Sequence, residues 1–325
     1  MRKISYSEAC REALRQGMLK DDRMIILGED IALRGGVWGV TKGLQNEFGA
    51  HRVRDMPITE ASFVGVGLGA ALTGVKAVVE IMFIDFSLVA MDQIANQVAK
   101  TIYMTGGRVK VPLVIRTEGG AGRGSGAQHS QSLEGLFTHI PGLKVAVPGT
   151  PYDAKGLLTT ALNSMSPVMF IEQKMLYKEL GEVPEEEYTV PFGKARVARE
   201  GRDVTVLAWS RMLPNALLAA DKLSQEGIDV EVVDPRTLEP FDLETLLKSL
   251  EKTGHLVITH EEVQRSGFGA EVAAMVVENG FDLLDGPIIR VCAPNVPIPC
   301  SKPLEAFVIP DSENIISGVK KSLTT

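Results

Sequence analysis

Three cysteines in 325 residues are too few for a disulfide framework, and Cys10, Cys292 and Cys300 lack both metal-ligand and Cys-x-x-Cys spacing. Structural zinc and disulfide staples are therefore excluded, a reducing compartment is implied, and cytoplasm is the expected location. Positive charge is also short. Lys and Arg total 34 against 41 Asp and Glu, a net −7, and no basic block is present to neutralise phosphates along a nucleic acid. No stretch reaches the roughly 18 uninterrupted apolar residues of a membrane span. The opening "MRKISYSEACREALRQGMLKDD" interleaves Ile4, Ala9, Ala13, Leu14 and Met18 with charges, so it lacks the apolar centre of a signal peptide. What remains, 45% hydrophobic and 23% charged residues, is enough to bury the cores of two domains.

After a first helix, short β-rich runs alternate with longer helical ones: "RMIILGED", a glycine-rich segment, "KAVVEIMF", "VPLVIRT", "LKVAVP", "DAKGLLTTALNSM" and "VMFIEQ". Such alternation predicts an α/β fold, a mostly parallel sheet with helices on both faces. Leu88, Met91, Ile94, Val98 and Ile102 recur at helical spacing and predict one helix from about Phe86 to Met104. The acidic stretch "KMLYKELGEVPEEEYTVPFG" breaks the pattern and reads as a linker. A second α/β series follows, through "DVTVLAW" and "HLVITHEE", which gives expected domains of 1–185 and 186–325. The tail "PNVPIPCSKPLEAFVIPDSENIISGVKKSL" should begin as extended surface chain suited to a partner contact.

Two glycine clusters invite a nucleotide reading, and both fail it. Gly65-x-Gly67-x-x-Ala70 has no strand leading into it, because "PITEAS" carries proline and polar residues there. "EGGAGRGSGAQHSQS" lacks the Gly-Lys-Ser/Thr ending of a phosphate loop. It does deliver His129 among amides and hydroxyls, an arrangement that suits a substrate mouth as well as a satisfied loop histidine. Glu60 heads the apolar run "PITEASFVGVGLGAALTG", where the ordinary reading is a first-turn acid behind a Thr59 cap, worth about 0.3–1 kcal/mol. Glu29 follows a strand directly, at the end where parallel sheets open onto ligands, although a solvated turn reads the same way. Local physics stops at a two-domain α/β protein with acid, base and glycine loops.

Taken together and in order, "ILGEDIA", "PITEASFVGVGLGAALTG", "EIMFIDFSLVAMDQIANQVAK", "AQHSQS", "PGLKVAVP", "PYDAKGLL", "DVTVLAW" and "KTGHLVITHEE" resemble the β subunit of the thiamin-diphosphate-dependent component of 2-oxo acid dehydrogenase complexes. The resemblance covers essentially the whole chain. It implies a pyrimidine-binding domain of the thiamin-diphosphate fold followed by a transketolase C-terminal-type α/β domain. It also implies that Glu60 hydrogen-bonds the cofactor's pyrimidine nitrogen and supports the imino tautomer that removes the thiazolium proton. Ile58, Met82 and Phe86 match residues lining the pyrimidine, Phe86 by stacking; core packing is the ordinary reading of the first two. Glu29 matches a supporting acid near Glu60, and His129 a histidine that orients or protonates a lipoyl group.

The family holds the diphosphate and Mg²⁺ through a Gly-Asp-Gly motif, and none occurs in these 325 residues. The resemblance therefore implies that an α subunit supplies that half, in an α2β2 heterotetramer serving a lipoyl acyltransferase core. It also implies a potassium site at Leu113, Ala161, Leu162, Ser164 and Ser166, where two serines replace an aspartate and an asparagine. Losing that carboxylate removes the ligand that best offsets the ion's desolvation. "GGVWGVTKGL", "MFIDF", "VPEEEYTVPFGKA" and "RVCAPNVPIPCSKPLE" look most like acetoin-cleaving members, with pyruvate and branched-chain oxo acids as the other substrates of the family. A eukaryotic source would place such a subunit in the mitochondrial matrix. Half of a split transketolase and a non-catalytic scaffold are the rival readings. The first normally carries an aspartate-rich Gly-Pro-Thr-His element where this chain has "GAQHSQS".

Overall fold

The computed structural model describes residues 2–324. They divide into two units, one formed by residues up to 119 together with 137–192, the other by 120–136 together with residues from 193 onward. No helix among the described residues is long and apolar enough to cross a membrane.

Through residue 183 the elements run β1 (Arg2–Ser5), α1 (Tyr6–Lys20), β2 (Ile25–Gly28), α2 (Leu44–Phe48), β3 (Val53–Asp55), α3 (Glu60–Leu72), β4 (Ala77–Ile81), α4 (Thr101–Met104), β5 (Leu113–Gly119), α5 (Glu134–Thr138), β6 (Lys144–Ala146), α6 (Pro151–Leu162), β7 (Val168–Gln173) and β8 (Leu180–Val183). Helix α1 starts where Ser5 accepts from the Glu8 amide and the Glu8 carboxylate accepts from the Ser5 amide at 2.9 Å, a reciprocal cap. It buries Tyr6, Ala9, Ala13 and Met18 on one face, against α6. Strands β6, β7, β5, β4, β2 and β3 lie side by side in that order, every pair parallel. The central strands β4, β5 and β7 are largely buried and rich in Val, Ile, Leu and Phe, which is why the sequence marks them so clearly.

Two stretches depart from expectation. Residues 86–104 are not one regular helix. A 3₁₀ turn spans Ile84–Leu88, and over Asp92–Val98 the chain widens so that the Ala99 amide bonds the Ile94 carbonyl, five residues back, at 3.0 Å. Ala90, Ile94 and Val98 stay buried through these turns, so the core face the sequence marks is kept although the helix is irregular. The stretch read as a linker is instead ordered on the first unit: β8 pairs antiparallel with β1, and the Pro184, Glu185 and Glu186 carbonyls accept from the buried Lys155 ammonium at 2.7–3.0 Å. Its polar composition conceals a cap for one buried cation.

The second unit runs β9 (Arg196–Arg199), β10 (Val204–Ala208), α7 (Met212–Ser224), β11 (Val230–Asp234), β12 (Thr237–Glu239), α8 (Leu243–Thr253), β13 (Leu256–Val263), α9 (Phe268–Gly280), β14 (Ile289–Ala293), α10 (Lys302–Val308) and α11 (Ser312–Ser322). Its five-stranded sheet has the order β14, β13, β10, β11, β9, with only β9 antiparallel. Val206, Leu213, Val257, Ile315 and Val319 belong to its core. The proline-rich tail does begin without helix or strand, but α10 follows at once, and Ile298, Val308 and Ile309 close over Ala121 in a small apolar cluster.

Candidate functional site

Three adjacent strands of the first unit, β3, β2 and β4, deliver residues at their carboxyl ends, where parallel sheets bind ligands. Glu29 leaves β2, the loop bearing Ile58 leaves β3 and enters α3 at Glu60, and Met82 and Phe86 follow β4. Two bonds tie the first two loops together: the Met56 amide to the Gly28 carbonyl at 2.8 Å, and the Ala32 amide to Asp55 at 2.7 Å.

Thr59 occupies the N-cap of α3, yet its hydroxyl makes no capping bond and turns to the Pro57 carbonyl at 3.1 Å. Glu60 takes the first helical position at 6% exposure. An acid that merely complements a helix end sits in water; this one is buried close enough to Glu29 for their charges to interact. Burial first, then the charges of Glu60 and Asp30, push the Glu29 carboxyl up to about 7, and one of its oxygens is buried without a hydrogen-bond partner. Two carboxyls thus share a low-dielectric corner in which one proton is held near neutrality.

Glu29 sets a testable sign. The unfolded chain releases this proton near 4.5 and the native chain near 7, so the native state binds more protons between those values and loses stability as pH rises through them. Glu29→Gln is expected to match the parent in urea denaturation at pH 4.5 and to exceed it at pH 8, by up to about 3 kcal/mol. A difference independent of pH would count against the carboxyl as its cause.

Ile58 is 81% exposed, so the core-packing reading of this residue does not apply; Met82 is half-buried. Phe86 is half-buried and meets Phe83 edge-on at 5.7 Å. Gly67 of α3 serves the sheet more directly than a ligand: a Cβ there would lie 2.6 Å from Val79 Cγ2. Among features this chain lends to a cofactor, the unpartnered Glu29 oxygen, the buried Glu60 and the flat Phe86 ring fit the pyrimidine half of thiamin diphosphate.

Of the residues matched to a potassium site, Leu113 opens β5, Ala161 and Leu162 close the last turn of α6, and Ser164 and Ser166 follow it. The Ser164 hydroxyl donates to the Ser166 carbonyl at 2.9 Å and accepts from Lys144 Nζ at 3.3 Å, while the Ala161 carbonyl accepts from the Ser164 amide. These groups fit a potassium ion poorly, since an ammonium already sits on the Ser164 hydroxyl and no carboxylate is among them. The same unfolding midpoint is therefore expected in potassium and in sodium chloride, and a rise specific to potassium would restore the cage.

His129 lies in the second unit, half-buried, within the glycine loop, its amide donating to the Gly126 carbonyl at 3.3 Å. Sequence reasoning missed the charges behind both regions. In the first unit Arg116 makes two bonds to Glu172, at 2.6 and 2.8 Å, and a third to Glu80, while Tyr177 donates to Glu172 at 2.8 Å. In the second, Glu262 and Glu305 accept from loop amides. The signal for the first was charge inside buried strands, "VVEI", "VIRTE" and "MFIEQ".

Comparison with known proteins places the chain in a family. Residues 2–179 match the transketolase pyrimidine-binding domain and residues 193–315 the transketolase C-terminal domain. The acetoin:2,6-dichlorophenolindophenol oxidoreductase β subunit of Bacillus subtilis (strain 168) is 48% identical over 97% of this chain and 96% of its own length. The chain belongs to the β-subunit family of thiamin-diphosphate-dependent acetoin and 2-oxo acid dehydrogenases. Another acetoin-type member, from Cupriavidus necator, is 46% identical over 99% of this chain and 98% of its own length. The pyruvate dehydrogenase E1 β subunit of Rhizobium meliloti is 42% identical over 98% of this chain and 70% of its own. A solved split-gene transketolase, described as an inactive β4 tetramer, shares the β-subunit fold with a TM-score of 0.82 at 24% identity, over 99% of this chain and 98% of that one.

Proposed function

We propose that this chain is the β subunit of an acetoin-cleaving dehydrogenase that passes the acyl unit to a lipoyl group. The observation that carries the substrate is the full-length identity of 48% and 46% to two acetoin-type β subunits, against 42% to a pyruvate-type one. Bound thiamin diphosphate supplies a carbon nucleophile and an electron sink for breaking the C–C bond beside a carbonyl. Glu60 is buried at the head of α3, where its carboxyl would hydrogen-bond the pyrimidine nitrogen. Glu29 adds a second carboxyl, itself raised to about 7 by burial and by the charges of Glu60 and Asp30, and Phe86 offers its face to the ring. Exposed Ile58 completes the lining once a partner covers it.

The partner is an α subunit. With no Gly-Asp-Gly in the sequence, the diphosphate and Mg²⁺ must be held by another chain, which gives an α2β2 assembly. His129 orients or protonates the lipoyl sulfur as the acyl unit arrives. The test combines this chain with its α partner, thiamin diphosphate and Mg²⁺, and follows reduction of an artificial dye with acetoin, pyruvate and branched-chain oxo acids. Fastest turnover with acetoin is expected; a preference for pyruvate would reassign the substrate, and ketol transfer between sugars without dye reduction would sink the reading. His129→Ala should lose more in acylation of a lipoyl domain than in dye reduction, and equal losses would contradict a role confined to the lipoyl step.

A further inference from the structure

The glycine loop of the second unit has the look of an anion cradle. Gly120, Gly122, Gly124 and Gly126 all have positive φ, at 86°, 117°, 70° and 78°, a path that side chains other than glycine rarely follow. Backbone amides exposed by such a path commonly converge on a bound phosphate or carboxylate. Here the anion comes from the chain itself. Glu305 on α10, 3% exposed, accepts from the Gly122 amide with one oxygen and from the Gly124 amide with the other, both at 2.8 Å.

Other bonds fasten the same loop. Arg211 donates to the Ala121 carbonyl at 3.2 Å while paired with Glu261 at 3.1 Å. The Gly120 amide reaches the Gln131 carbonyl at 2.9 Å and closes the loop on itself, and the Gly135 amide donates to Glu262 at 2.7 Å. Ala121 is wedged among Ile298, Val308 and Ile309. Of these anchors, Glu305 alone bonds the stretch between Ala121 and His129 by two charge-assisted bonds, which are roughly twice as strong as neutral ones.

We propose that Glu305 is a positioning residue for His129: its carboxylate fills the amide cradle and fixes the loop in the one conformation that presents the histidine to the acyl acceptor. The proposal rests on the role given to His129 above. It explains why a glycine-rich loop without a nucleotide signature is present, and why the tail folds back to place a buried acid against it. An unfilled cradle would leave the Gly122 and Gly124 amides without this partner and let five glycines between 119 and 126 sample many paths.

The test uses the assembled α2β2 enzyme with Glu305→Gln, Glu305→Asp and His129→Ala. Hydrogen–deuterium exchange reports on the peptide covering 120–130, a free lipoyl domain reports acylation, and a dye reports the step before it. In Glu305→Gln, exchange at the loop is expected to accelerate at least tenfold, with acylation falling about tenfold more than dye reduction. Glu305→Asp, which keeps the charge, should recover part of both. Unchanged exchange in Glu305→Gln overturns the clamp, as does faster exchange with acylation and dye reduction falling together. Normal acylation in His129→Ala would instead remove the reading on which the proposal stands, and impaired His129→Ala beside normal Glu305→Gln would remove the proposal alone.

Discussion

Glu60→Gln is expected to slow turnover of the assembled enzyme by roughly 10²- to 10⁴-fold, the range typical of removing a group that holds a proton in the reacting array. The fold should survive it. Gln is isosteric, α3 retains its start, and the charge given up at a helix end is worth only about 0.3–1 kcal/mol. What disappears is a buried acid able to share a proton with a ring nitrogen, which an amide cannot do. Glu29 should respond too, since one of the charges that raises its carboxyl is gone, and its titration should move down from about 7. The decisive measurement is proton exchange at the thiazolium carbon in the α2β2 enzyme. Exchange at near-parental rate would return Glu60 to the role of a helix-start charge.

Much of this corner was legible in the sequence because its parts are local. "RMIILGED" is a buried strand followed by two acids, so it placed Glu29 at a carboxyl end. "PITEAS" announced a helix start, so it placed Glu60. What the sequence could not announce is partnership over distance. Glu305 meets Gly124 across 181 residues, and Arg116 meets Glu172 across 56; neither pairing leaves a periodic trace. Local pattern also misled where the core overrode it. Residues 86–104 carry helical spacing, yet they fold as a 3₁₀ turn, a widened stretch and a short α-helix, because one apolar spacing serves all three. Residues 180–183 sit in acidic, proline-containing sequence, yet they form a strand because β1 offers an edge to pair with.

Arg116→Met is expected to be the most destabilising single change in the first unit, at about 3–5 kcal/mol, because it strands buried carboxylates without a counter-charge. The geometry explains the pairing. Arg116 on β5 lies directly across from Glu80 on β4, and Glu172 on β7 lies across from Glu118, two residues further along the same face. Side-chain exposure is 3% for Arg116 and 0% for Glu172, so neither charge is relieved by water. Glu118 is in difficulty already: burial pushes its carboxyl up against the pull of Lys174, and Glu80 and Glu172 push it further. Without the guanidinium, these acids can be accommodated only by taking up protons. The native state of the variant then binds more protons than its unfolded chain, so its deficit should shrink as pH falls from 8 to 5. Lost volume alone would give a deficit that does not change with pH. Pairing Arg116→Met with Glu172→Leu separates the two causes again, since removing both buried charges should recover much of the loss in denaturant midpoint, whereas a cavity or packing fault would add to it.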